Sequence, residues 1–175
     1  MIRPTTEIIG TYSKTHHVGI LATSGTVNSN SYEIEIDKFF PDTRVIQQAC
    51  PMLVPLIENN EFENEAADYF IQKYLDELMQ KDNSIDTILL ACTHYPLIKK
   101  RIEKFLPANV QVIAQGEIVA ASLKEYLNRH PEIETQLSKN KSIGFFTTDS
   151  AEDFNNHAAI FYSERVHAKH VELPH

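Results

Sequence analysis

Short apolar runs alternate along this chain with longer stretches in which apolar side chains return every three or four residues. His17-Val18-Gly19-Ile20-Leu21-Ala22, Arg44-Val45-Ile46, Thr87-Ile88-Leu89-Leu90-Ala91 and Val110-Gln111-Val112-Ile113 have the length and composition of buried strands. Tyr32, Ile36, Phe39 and Phe40 fall at helical spacing and predict a helix over 28–40, closed by the turn Pro41-Asp42-Thr43. The strongest helical pattern spans 64–80, where Ala67, Phe70, Ile71, Tyr74, Leu75 and Leu78 share one face. Lys81-Asp82-Asn83-Ser84 closes it. Further helices are expected over 97–106 and 117–129, with the helical region continuing through 131–137. Residues 5–13 are weakly helical, and 51–59 form a short helix or an ordered loop. This alternation predicts an α/β fold, a parallel sheet with helices on both faces.

The pattern changes at the polar break Ser138-Lys139-Asn140-Lys141. A strand over 142–148, a helix over 152–162 and an alternating edge strand over 166–173 follow. No internal repeat or low-complexity tract interrupts the 175 residues.

An apolar content of 42% is enough for a real core and argues against overall disorder. The net charge of −8, with no basic cluster, excludes a nucleic-acid surface. No run reaches membrane-spanning length and no signal peptide is visible. The two cysteines, Cys50 and Cys92, lie in different contexts, so a reduced cytoplasmic setting is expected rather than a disulfide scaffold. His16, His17, His157, His167, His170 and His175 lack a metal-ligand spacing. There is no glycine-rich phosphate loop and no lysine in a pyridoxal-phosphate context, so no cofactor is expected.

The chemistry concentrates in Cys92-Thr93-His94-Tyr95-Pro96-Leu97, between an expected strand and an expected helix. That junction is the carboxyl edge of an open α/β sheet, where ligands bind. The helix expected to follow would favour a thiolate at Cys92 and a bound carboxylate. On composition alone, Cys92 reads first as a small core residue and Pro96 as a helix-start signal.

Ala91-Cys92-Thr93-His94-Tyr95-Pro96-Leu97 resembles the second catalytic motif of glutamate racemases, cofactor-independent amino-acid racemases of bacterial wall synthesis. Gly19-Ile20-Leu21-Ala22-Thr23-Ser24-Gly25-Thr26-Val27, with Ser29, resembles that family's Thr-rich loop. Ala49-Cys50-Pro51 through Glu58 is similar to its Ala-Cys-Pro segment, and Gln115-Gly116-Glu117 to its Ser-Gly-Glu helix start. The four segments follow the family's order over nearly the whole chain.

The resemblance implies an Asp/Glu racemase-like fold and interconversion of L- and D-glutamate, supplying D-glutamate for peptidoglycan. It implies Cys92 as one of two acid–base groups, acting on the L-glutamate face. His94 would assist Cys92 and contact substrate, and Glu58 would orient His94. Thr93, Thr23, Ser24 and Thr26 would hold substrate, although helix N-capping explains the last three as well. Ala114-Gln115 departs from the family's usual Asp-Ser, so no role is carried over to it.

The family's Asp-Ser-Gly loop and its first catalytic cysteine have no counterpart here. Met1-Ile2-Arg3-Pro4 resembles the family's mid-chain crossover. The expectation is therefore one complete domain plus a piece of the other. Residues 1–137 would form the second catalytic domain, and 138–175 would return to a first domain whose N-terminal half is absent. Such a fragment would be inactive alone, and it would self-associate through the face the missing half would cover. Cys50 lies in a segment of different purpose and is expected to be structural. Two alternatives remain: a relative of aspartate racemases or maleate isomerases, and a non-enzymatic α/β domain binding a small acid. Aspartate racemases usually carry an acidic residue where His94 stands, which favours glutamate.

Overall fold

The computed structural model describes residues 2–162 and 164–173, the side chains of 160 and 161 excepted. They fall into two compact units, one up to Arg129 and one from His130 onward.

The first unit begins with α1 (Arg3–Thr6) and a 3-10 turn (Ile9–Thr11), then β1 (His17–Ala22). Next come α2 (Ser24–Asn28), α3 (Ser31–Asp37) and β2 (Arg44–Ala49). They are followed by α4 (Leu53–Glu58), α5 (Glu65–Lys81) and β3 (Thr87–Leu90). A 3-10 turn (Tyr95–Ile98), α6 (Lys99–Lys104), β4 (Gln111–Ala114) and α7 (Gln115–Arg129) complete it. The four strands make one parallel sheet in the order β2-β1-β3-β4. Leu21 lies beside Gln48 on one side and Leu90 on the other.

Period-two alternation decides what each face of β1 packs against. Val18, Ile20 and Ala22 join Tyr32 and Ile36 of α3 in one buried cluster. Gly19 points to the opposite face, where a Cβ would sit 2.8 Å from Leu78 of α5 and 3.3 Å from Ile85. A side chain at 19 would hold α5 off the sheet. The helix expected over 64–80 forms as α5, with Ala67, Ile71, Tyr74, Leu75 and Leu78 buried. Each large side chain so buried contributes about 1.5–3 kcal/mol of transfer free energy. The Asn64 side chain accepts a hydrogen bond from the Ala67 N–H at 3.1 Å, capping α5, and losing such a cap costs about 1 kcal/mol. Arg101 of α6 reaches Asp68 of α5 at 2.7 Å and ties the two helices together.

Two expected helices are shorter than the sequence pattern suggests. The stretch 28–40 is helical only over α3, because Asn30 sits at φ 52° in the left-handed region and separates α3 from α2. The stretch 97–106 is helical only from Lys99 as α6, because Ile98 at φ −106° and ψ 11° leaves the helical region. Strand β2 instead runs on to Ala49, three residues past the expected strand.

The second unit contains α8 (Pro131–Glu134), β5 (Phe145–Thr147), α9 (Ala151–Tyr162) and β6 (Ala168–His170). Strands β5 and β6 pair in parallel, with Phe145 beside Ala168 and Thr147 beside His170. The Phe145 ring packs on Phe154 and Tyr162 of α9, at centroid distances of 6.3 and 5.5 Å.

Candidate active site

In the order β2-β1-β3-β4 the strand after β1 is added on one side of it and the later strands on the other, so the crevice beyond the carboxyl ends of β1 and β3 is a topological switch point. Thr23 and the start of α2, with Ser24 and Thr26, follow β1 at this edge, and the loop after β3 carries Cys92, Thr93 and His94 there. Gln115 and Gly116 arrive from the end of β4. The sheet therefore brings together groups that lie far apart in sequence.

Cys92 is half-buried, and its Sγ lies 3.8 Å from His94 Nδ1. The other ring nitrogen, Nε2, lies 3.1 Å from Glu58 Oε1. Sulfur, imidazole and carboxylate thus form a chain. The His94 side chain is 30% exposed and that of Glu58 54%, so solvent screens their contact and its contribution to stability is small. The loop is anchored by the next residue. Tyr95 is wholly buried, and its hydroxyl donates to the Cys50 carbonyl at 3.2 Å, at the end of β2. Burial pushes the Tyr95 hydroxyl far above its ordinary pKa, so it remains a neutral donor.

Thr26, Thr93, Tyr32, Cys92 and Gln115 line a half-open cavity of about 590 Å³ at this edge. Thr23, Ser24, His94 and Glu58 do not line it. The Thr23 hydroxyl contacts that of Thr26 at 3.1 Å, and Ser24 is exposed. Thr23 occupies the N-cap position of α2, yet its side chain makes no capping hydrogen bond. The expected capping role is replaced by this hydroxyl pair.

The expected contribution of a following helix to Cys92 also needs correction. The residues just after the motif form a four-residue 3-10 turn, and α6 begins only at Lys99. A macrodipole acts within the first turn of its helix, so α6 is too far away to bias the Cys92 sulfur. The neighbour that remains is the His94 ring.

Cys50 contrasts with Cys92. It is fully buried, and burial pushes its thiol up to about 12. The thiol faces the Gln48 carbonyl at 3.5 Å.

The sequence did not point to Tyr32 or Gln115. Tyr32 reads as one apolar position of a helical stripe, and Gln115 as a departure from a family motif. Gln115 Nε2 donates to the Tyr32 hydroxyl at 2.9 Å and to the Leu90 carbonyl at 3.3 Å. Its Oε1 accepts from the Thr5 hydroxyl at 3.2 Å. The only local signal was a polar residue at the end of an apolar strand.

Among the described residues, no three His, Cys, Asp or Glu side chains gather as a metal site, and no helix is long and apolar enough to cross a membrane. His17 pairs instead with Asp82 at 2.8 Å, and His175 lies outside the described residues.

The chain is 35% identical over 154 residues to glutamate racemase 2 of Caldanaerobacter subterraneus, covering 88% of this chain and 57% of that protein. It is 31% identical over 162 residues to a glutamate racemase of Lactiplantibacillus plantarum, covering 92% of this chain and 59% of that one. The chain thus spans somewhat over half the length of these curated relatives. A crystal structure of a glutamate racemase isoform of Bacillus anthracis superposes with a TM-score of 0.87 at 31% identity, over 99% of this chain and 64% of that one. A glutamate racemase of Francisella tularensis, solved in complex with D-glutamate, superposes with a TM-score of 0.80 at 26% identity, over 98% and 62%. The profile of the Asp/Glu/Hydantoin racemase family matches residues 8–123, two thirds of the sequence from before β1 into α7, and the chain belongs to that family.

Proposed function

We propose that this chain supplies one acid–base wall of a cofactor-independent glutamate racemase, with Cys92 as the acid–base group. The observation that carries the reading is the Cys92–His94–Glu58 chain at the β1/β3 switch point.

Glu58 accepts the His94 Nε2–H, which leaves Nδ1 facing the sulfur with a free lone pair. His94 takes the thiol proton, and Glu58 faces the imidazolium so formed, as in a base–orienter pair. The sulfur contact is loose at 3.8 Å, as catalytic contacts often are without substrate. The thiolate removes the α-proton of glutamate. The C–H bond breaks, an S–H bond forms, and the electron pair is delocalised into the adjacent carboxylate. Return of a proton from an acid on the opposite face gives the other enantiomer. Thr93 and Thr26 hold the substrate within the cavity, and Thr23 and Ser24 support the same edge.

The second acid–base group is not Cys50, which is fully buried and does not line the cavity, and whose thiol burial holds protonated at neutral pH. We assign the catalytic domain, expected from the sequence over 1–137, to the compact unit up to Arg129 that carries Cys92, and we assign the reaction to the cytoplasm, where D-glutamate enters peptidoglycan.

Circular dichroism starting from pure L- or D-glutamate tests the proposal on this chain joined to the N-terminal part of a glutamate racemase relative. Cys92→Ser is expected to abolish racemisation from both sides. Turnover retained in that variant, or a preference for aspartate over glutamate, would overturn it.

A further inference from the structure

Tyr32 is 1% exposed, its hydroxyl meets the Gln115 amide, and both residues line the cavity beside Cys92. The direction of its proton follows from the Gln115 amide. The Leu90 carbonyl can only accept, so the nitrogen of the Gln115 amide faces it, at 3.3 Å. The same nitrogen lies 2.9 Å from the Tyr32 oxygen. Its two N–H groups serve these two acceptors. The Gln115 oxygen, which can only accept, takes the Thr5 hydroxyl proton at 3.2 Å. The amide orientation is therefore fixed on all sides. Tyr32 receives a hydrogen bond and keeps its own proton to give. Among the described residues no acceptor takes that proton. A buried donor without an acceptor is costly and calls for an explanation.

We propose that Tyr32, held by the Gln115 amide, donates its hydroxyl proton to a carboxylate oxygen of the acid bound beside Cys92. The proposal rests on the reading of this cavity as a glutamate site. It adds Tyr32 as a binding residue and Gln115 as the residue that positions it. No lysine, arginine or histidine lines the cavity, so an anion there is held by neutral donors, and Thr26, Thr93, Ser29 and Ser31 bring the other hydroxyls to its lining. Burial and the neighbouring Cys92 both push the Tyr32 hydroxyl up, with the Gln115 hydrogen bond opposing, so the group remains a donor at neutral pH.

Protection of Cys92 from iodoacetamide by L-glutamate, followed on the 175-residue chain by peptide mass spectrometry, gives the test. In the unmodified chain glutamate slows alkylation of Cys92. Tyr32→Phe keeps the ring and its packing, and it is expected to raise the half-protecting concentration about tenfold or more, the usual worth of one hydrogen bond to a charged acceptor. Gln115→Glu is nearly isosteric but replaces the donor with a second acceptor. Its carboxylate captures the Tyr32 proton and turns it away from the cavity, so protection weakens to a similar degree. Thermal melts of both variants identify any loss of folding, and each variant serves if the other is destabilised. Protection by the same glutamate concentration in Tyr32→Phe as in the unmodified chain overturns the inference. Weakened protection in Tyr32→Phe with unchanged protection in Gln115→Glu overturns the positioning role. Absence of protection in the unmodified chain overturns the glutamate reading together with this inference, so the failures are distinguishable.

Discussion

Which of the two thiols can act as a base is decided by their surroundings, and alkylation kinetics measure it. The perturbation is iodoacetamide at about pH 7.5, followed peptide by peptide. Burial pushes Cys50 up to about 12. An ordinary exposed cysteine, near 8.5, is about 9% thiolate at that pH, and a thiol near 12 about 0.003%, a ratio of roughly 3,000. Higher basicity makes a thiolate more nucleophilic, and a Brønsted slope of about 0.45 over about 3.5 pH units returns a factor of roughly 40. Ionisation alone therefore slows Cys50 by nearly two orders of magnitude. Its 0% exposure slows it further, because reagent must wait for the core to open. Cys92, half-buried at the cavity wall, has no such barrier. The Cys92 peptide should be fully alkylated while the Cys50 peptide is still unmodified. In 6 M guanidinium the two should converge, which shows that the difference belongs to the fold (denaturant molarity of the order used for full unfolding). Equal rates in the folded protein would refute the argument, and with it the exclusion of Cys50 as the second base.

Three further outcomes are expected. Residues 1–175 alone should not racemise glutamate measurably by circular dichroism, since a single thiolate cannot protonate the opposite face and a missing base costs roughly 10²–10⁴-fold. Gly19→Ala should lower stability by about 0.5–2.5 kcal/mol, overpacking against Leu78 at 2.8 Å minus the gain from a stiffer unfolded chain, and in a Leu78→Ala background that cost should vanish in denaturant titrations. Asp82 and Asp86 would be raised by burial alone, but hydrogen bonds from Ser84 and His17 to the first, and from Ser13, Thr15, Lys14 and Thr87 to the second, hold both below the usual value. Their stabilisation is then present above the unfolded carboxyl pKa of about 3.9 and lost as pH falls through the folded values, so melting temperature should drop in acid, less steeply in Asp86→Asn.

The strands and α5 were legible because their apolar patterns are local. Val18, Ile20 and Ala22 declare a buried strand without help from the rest of the chain, and so do the five buried positions of α5. The start of α6 was not legible. Pro96 is an ordinary helix-start residue, and only the pull of Tyr95 toward the Cys50 carbonyl accompanies the 3-10 turn that delays the helix. Asn30 interrupts a helical stripe that the pattern alone would continue. Gln115 was invisible as a site residue because its partners, Thr5 and Tyr32, lie 110 and 83 residues away. The chain Cys92–His94–Glu58 was anticipated by resemblance alone, since nothing near Glu58 in sequence marks it as more than a solvated charge.

The Tyr95 anchor makes the position of His94 a property of the core. A catalytic imidazole on a free loop would sample many orientations and lose its alignment well before the protein melts. Here the adjacent ring is sealed into the sheet edge and bonded to the strand on the far side of β1. The 92–95 segment should therefore open only with the sheet itself, as part of the same cooperative unit. Any motion that closes the site over substrate must then come from other elements, with the Cys92 wall acting as the fixed surface against which they close.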